Sequence, residues 1–85
     1  MKLLNIILSE RLKVNNISIN YTNYGDLYSV VVNGDKIDRD QGTELVHKLT
    51  KLEVPYSYDV QVVDDILNKL SDKGIEADSY EMDID

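Results

Sequence analysis

Ile17-Ser18-Ile19-Asn20-Tyr21-Thr22, Asn23-Tyr24-Gly25-Asp26, Leu27-Tyr28-Ser29-Val30-Val31-Val32, Asn33-Gly34 and Asp35-Lys36-Ile37 follow one another without interruption, and they decide the fold. Ile17, Ile19 and Tyr21 alternate with Ser18, Asn20 and Thr22. Residues 16–22 therefore read as a strand with one apolar and one polar face. Asn23 to Asp26 is turn chemistry. Leu27 to Val32 is a second strand, and its run of β-branched residues suits a central, covered position. Asn33-Gly34 is the strongest short hairpin signal, because a type I′ turn needs positive φ at both central residues. Asp35 to Ile37 completes a three-stranded antiparallel meander.

On the N-terminal side, Leu4, Leu8 and Leu12 recur at i, i+4 and i+8 with Leu3 and Ile7 beside them. This predicts a helix over residues 2–12, although Ile6 and Leu8 also fit a strand. On the C-terminal side, Asp38 and Gln41 resemble a helix start, with Gly42 weakening it and Thr43 as a rival cap. Leu45, Leu49 and Leu52 give that helix an i, i+4, i+7 stripe. Pro55 ends the helix or the turn after it. Ser57 or Asp59 then caps a further helix with Val63, Ile66, Leu67 and Leu70 on its apolar face, and Gly74 sits where a helix-terminating glycine belongs. Residues 76–85 alternate weakly. They are either a final edge strand or a flexible acidic tail.

The expected class is α+β. One two-layer domain covers residues 1–85 in the order α-β-β-β-α-α, with the three-stranded meander packed against about three helices. Eighty-five residues leave no room for a second core. The chain has no cysteine, so no disulfide or thiolate metal site supports it. The Leu3 to Leu8 cluster is too short to span a bilayer. Glu10 and Arg11 follow it at once, with no small-residue cleavage site, so a secretory signal is not expected. The expected location is the cytoplasm.

The net charge of −7 is placed unevenly. Residues 1–42 hold five acids and five bases, whereas residues 43–85 hold eleven acids and four bases. Several chemistries fail on this pattern. Asn33 to Asp40 suggests a calcium loop, but aligning Asn33 and Asp35 as ligands puts Val31 at the first position and Lys36 where the loop glycine belongs. His47 is the single histidine and has no cysteine partner, so neither a metal site nor a nucleophile–base pair is supported. The carboxylates lie on amphipathic surfaces rather than in a pocket that would separate their pKa values. No glycine-rich phosphate loop is present. No catalytic residue, cofactor or metal is expected. Dispersed bases among many acids disfavour direct nucleic-acid and anionic-membrane binding.

What remains is the acidic half. Ten acids stand against Lys69 and Lys73 in residues 53–85. They either keep the chain in solution or form an electrostatic docking face. Carboxylates spaced along a helix and an edge strand can imitate nucleic-acid phosphates. The expected contacts are Asp64, Asp65, Glu76, Asp78, Glu81 and Asp83. Tyr56, Tyr58 and Tyr80 are the expected anchors, because tyrosine gives large amphipathic contact area. Tyr21 and Tyr28 are expected to pack on the sheet.

In element order and acidity the chain resembles small type II-A anti-CRISPR proteins, phage-encoded decoys that occupy the DNA groove of a CRISPR nuclease. The elements that carry the resemblance are a leading helix, the meander Ile17–Tyr21, Leu27–Val32 and Lys36–Ile37, and two following helices. The resemblance includes no diagnostic motif, and no residue role is carried over. It implies a non-catalytic inhibitor, acting in the host cytoplasm, whose partner is a basic, nucleic-acid-binding protein. The alternative is an assembly module acting as a homodimer or as a subunit of a larger complex.

Overall fold

Alternation becomes geometry in β1 (Asn16–Thr22), where Ile17, Ile19 and Tyr21 are buried on one face. β1 pairs antiparallel with β2 (Leu27–Val32), matching Ile17 to Val32 and Ile19 to Val30. β2 pairs antiparallel with the short β3 (Asp35–Ile37). Asn33 and Gly34 both take positive φ, at 53° and 86°, as an Asn-Gly hairpin turn requires. Asn33 Oδ1 also accepts from the Asn15 and Asn16 amides at 2.7 and 3.3 Å, which ties the turn to the start of β1. The computed structural model describes residues 14–83, so the helix expected over residues 2–12 lies outside the described residues.

Two helices follow the meander. In α1 (Arg39–Thr50), Asp38 is the N-cap and its Oδ2 accepts from the Asp40 and Gln41 amides, which leaves Thr43 inside the helix. α1 closes on Lys51 in a left-handed conformation, ahead of Pro55. Gly42 has a packing reason. A Cβ there would lie 2.5 Å from Val30 Cβ, so the α1 backbone rests directly on β2. In α2 (Val60–Asp72), Asp59 rather than Ser57 is the cap, accepting from the Gln61 and Val62 amides. Val63, Ile66 and Leu70 are buried along its inner stripe.

The two helices carry the chain from the β3 edge across the sheet to its far edge. β4 (Glu76–Met82) pairs parallel with β1, giving the strand order β3-β2-β1-β4. The sheet is therefore four-stranded and mixed rather than a three-stranded antiparallel meander, and two helices rather than three pack on it among the described residues. Residues 76–82 are strand rather than tail. Its pattern is weak because its apolar residues change face. Ala77 pairs with the inward Ile17, whereas Tyr80 and Met82 pair with the outward Asn20 and Thr22. On the outer face Asn20 and Ser29 are buried and satisfied in a chain of bonds, from Ser18 Oγ to Asn20 Oδ1 and from Asn20 Nδ2 to Ser29 Oγ.

The core joins Ile17, Ile19, Val30 and Val32 of the sheet to Leu45, Val46, Val63, Ile66 and Leu70 of the helices. Each such side chain contributes roughly 1.5–3 kcal/mol by leaving water. The expected packing of Tyr21 is observed, but that of Tyr28 is not. Between Asn20 and Tyr21 the register jumps from Ser29 to Leu27, so Tyr28 is the extra residue of a bulge and is exposed.

Candidate functional site

Strand order converts the uneven charge of the sequence into two unlike flanks. α1 packs mainly on β2, and α2 packs on β4 at the opposite edge. Residues 35–51, which supply β3 and α1, hold four acids and four bases. Residues 59–83, which supply α2 and β4, hold eight acids against Lys69 and Lys73. Among the described residues none of these acids is held in an ion pair.

The expected contact carboxylates do not share one plane. Asp64 and Asp65 are exposed on α2, off the stripe of Val63, Ile66 and Leu70. Glu76 and Asp78 pair with Asn16 and Ser18 and so project from the outer face of the sheet. Glu81 pairs with Tyr21 and projects from the inner face. Asp83 is exposed just beyond the end of β4. The acids thus wrap around the β4 edge, with α2 on one side and the outer sheet face on the other.

The tyrosines divide along the same line. On the β3 side, the Lys36 ammonium sits 4.6 Å from the centre of the Tyr28 ring. The Arg39 guanidinium lies 5.4 Å from that of Tyr56 and donates to the Leu27 carbonyl at 2.9 Å. Both rings are therefore covered by cations of their own chain. Tyr58 sits elsewhere, edge-to-face on Tyr21 with ring centres 5.2 Å apart. The loop that carries it is bonded to the meander, with Leu27 N donating to Tyr56 O and Tyr58 N to Gly25 O, each at 2.7 Å. Tyr21 donates its hydroxyl to Pro55 O at 2.6 Å. Burial, with Tyr58 adding a smaller effect, pushes the Tyr21 hydroxyl up to about 12. On β4, Tyr80 donates to Asp78 Oδ2 at 3.1 Å, and that bond to the carboxylate raises its pKa above the ordinary tyrosine value.

Tyr58, Tyr80 and Glu81, three of the expected residues, line one cleft of about 540 Å³ with Tyr21, Ser79 and the Thr22–Gly25 turn. Asn23 N donates to Met82 O at 2.8 Å and closes the turn against the end of β4. The cleft also includes Tyr24, which was not expected at a site and is 75% exposed. The signal that could have found it is an aromatic residue at a hairpin tip, where no core position exists for it. Tyr56 and the Asp64–Asp65 pair stand apart from this cleft.

Two other segments have simpler geometry: Asn33 to Asp40 is the hairpin turn, β3 and the start of α1, and His47 lies on α1. His47 is exposed near the C-terminal end of α1, with Nδ1 3.3 Å from Leu52 O. Among the described residues no group of three or more His, Cys, Asp or Glu side chains is placed to hold a metal ion. No helix among them is long and apolar enough to cross a membrane. No protein-family model, curated protein or solved structure matches the chain.

Proposed function

We propose that the chain is a non-catalytic acidic binding protein that occupies a basic surface of a nucleic-acid-handling protein, as a phage or mobile-element inhibitor would inside its host cell. The observation that carries this proposal is the α2–β4 flank, where eight acids face two bases beside exposed tyrosines. Acids that served only to keep the chain in solution would be expected on both flanks. Here one flank is balanced and the other is not. A field of one sign speeds encounter with a basic partner and makes the complex salt-sensitive. Exposed tyrosines beside it supply the apolar contact that charge alone lacks.

A second function is favoured by a separate observation. β4 has β1 as its single strand neighbour among the described residues, so its other edge could pair with another chain. In that case the chain is an assembly module, either a homodimer or a subunit of a larger complex.

Capture from host-cell lysate at low and high salt tests the first proposal. The expected result is a basic nucleic-acid-binding protein retained at low salt and released at high salt. The variant carrying Asp64→Lys, Asp65→Lys, Glu76→Lys and Asp78→Lys should retain at least about tenfold less, since rim charges act chiefly through the field they make. Reversal of Asp40 and Glu44 on the other flank should change little, and reversal of Asp64 and Asp65 alone is the control of equal charge. Capture that is indifferent to salt and to the quadruple variant counts against the proposal. A stable dimer in sedimentation at micromolar concentration would favour the assembly module.

A further inference from the structure

We infer that the cleft between the β1–β2 turn, Tyr58 and the end of β4 is a receptor for an arginine side chain of the basic partner. The inference deepens the proposed function and rests on it for the source of the arginine, but the cleft can be tested without that partner. Three observations carry it.

The first is the lining. Tyr24, Tyr58 and Glu81 line the cleft with the buried Tyr21 behind them. Tyr80 borders it from the strand while its side chain projects from the opposite face of β4 beside Asp78. Among the described residues the lining holds no lysine, arginine or histidine. Aromatic faces and one carboxylate attract a cation, and an anion would find no positive partner there. The volume of about 540 Å³ lies within the ordinary range of ligand sites and has room for a side chain with the backbone that bears it.

The second is the contrast with the other tyrosines. Tyr28 and Tyr56 are each covered by a cation of this chain, Lys36 and Arg39. Among the described residues no lysine or arginine lies over Tyr24, Tyr58 or Tyr80, although these rings are 75, 48 and 58% exposed. Among the described residues, tyrosines on one flank are thus covered by cations and those on the acidic one are not.

The third is rigidity. Tyr58 is fixed by its edge contact with Tyr21 and by the bond from its amide to Gly25 O, while Asn23 N holds the turn to Met82 O. Glu81 is set by register opposite Tyr21. A site already in place spends little of its binding energy on ordering its own groups. Arginine suits this set better than lysine. Its planar guanidinium stacks on aromatic rings, forks onto a carboxylate and is more weakly hydrated than an ammonium.

The test titrates the full chain with N-acetyl-argininamide, followed by backbone amide NMR. N-acetyl-citrullinamide serves as the neutral isostere and N-acetyl-lysinamide as the second cation. Expected are saturable shifts confined to residues 21–25, 58 and 79–81. Citrulline should bind at least tenfold more weakly, and lysine several-fold more weakly, than arginine. Glu81→Gln and Tyr24→Ala should each weaken arginine binding several-fold, and both positions are exposed enough to leave the fold intact. Equal binding of citrulline, shifts centred on Asp64 and Asp65, or no saturation up to the solubility limit would overturn the inference. Loss of partner capture in the quadruple charge variant, without arginine binding here, would leave the proposed function standing and this cleft excluded. Saturable arginine binding without any basic partner would do the reverse.

Discussion

The β3–α1 flank and the α2–β4 flank are built on the same core and finished differently. On the first, acids and bases are equal in number, and the cations Lys36 and Arg39 lie over Tyr28 and Tyr56. On the second, acids outnumber bases four to one, and the tyrosines near β4 have no such cover among the described residues. Both helices bury an aliphatic stripe in one cluster. The difference is therefore confined to the surface. A fold that needed acidity for its own sake would carry it on both sides, and like charges crowded on one flank repel rather than stabilise.

If the flanks share a core, equal damage to either should be equally severe. Leu45→Ala in α1 and Leu70→Ala in α2 should each cost about 2–5 kcal/mol, measured by urea unfolding. A loss confined to one of them would show that the flanks are separate packing units. Gly42→Ala probes the α1 side alone. The added methyl must displace Val30 or lift the helix, for a loss of about 1–3 kcal/mol and no change in partner capture.

Tyr21 reports where the flanks meet. Tyr21→Phe removes the bond to Pro55 O and should cost about 0.5–1.5 kcal/mol at pH 8. The folded protein holds the Tyr21 proton up to about 12, against about 10 when the hydroxyl is unperturbed. Its contribution is therefore fully present below pH 10 and is lost as pH rises through 12. The gap between wild type and Tyr21→Phe should close over that window, as followed by unfolding midpoints at successive pH values. The smallest effect concerns repulsion. Asp65→Asn should leave stability unchanged or raise it by at most about 0.5 kcal/mol, and added salt should erase the gain.

The meander was legible because each signal was local. Alternation in residues 16–22, the Asn33-Gly34 turn and the apolar stripe of α2 name their own structure, whereas Leu52 of the expected α1 stripe lies beyond the Lys51 cap and Val46 takes a buried place on that helix instead. β4 was not legible to the same degree. Its partner is β1, and parallel pairing leaves no turn motif to announce it. Its apolar residues also switch faces between Ala77 and Tyr80, which breaks the period. Tyr28 was misplaced for a related reason, since a bulge moves one residue off the alternation and composition does not mark where. For the site, the acids and Tyr56, Tyr58 and Tyr80 could be named from the sequence. That Tyr58, Tyr80 and Glu81 border a cleft with Tyr24, while Asp64 and Asp65 do not, depends on the crossing through the two helices that carries β4 to the far edge.

That crossing also sets the order in which the molecule can assemble. β1, β2 and β3 are joined by short turns and can pair as soon as they exist. β4 must instead bring Glu76 to Asn16, a contact across sixty positions of chain. Closing so long a loop precedes any reward from the contact, so this pairing is expected to be the slowest to form. During synthesis β1 emerges well before β4, so among the described strands its outer edge has no partner until β4 follows α2 out of the ribosome. The same strand that brings Glu81 to the cleft is thus expected to dock last, which would tie the cleft to the fully folded chain.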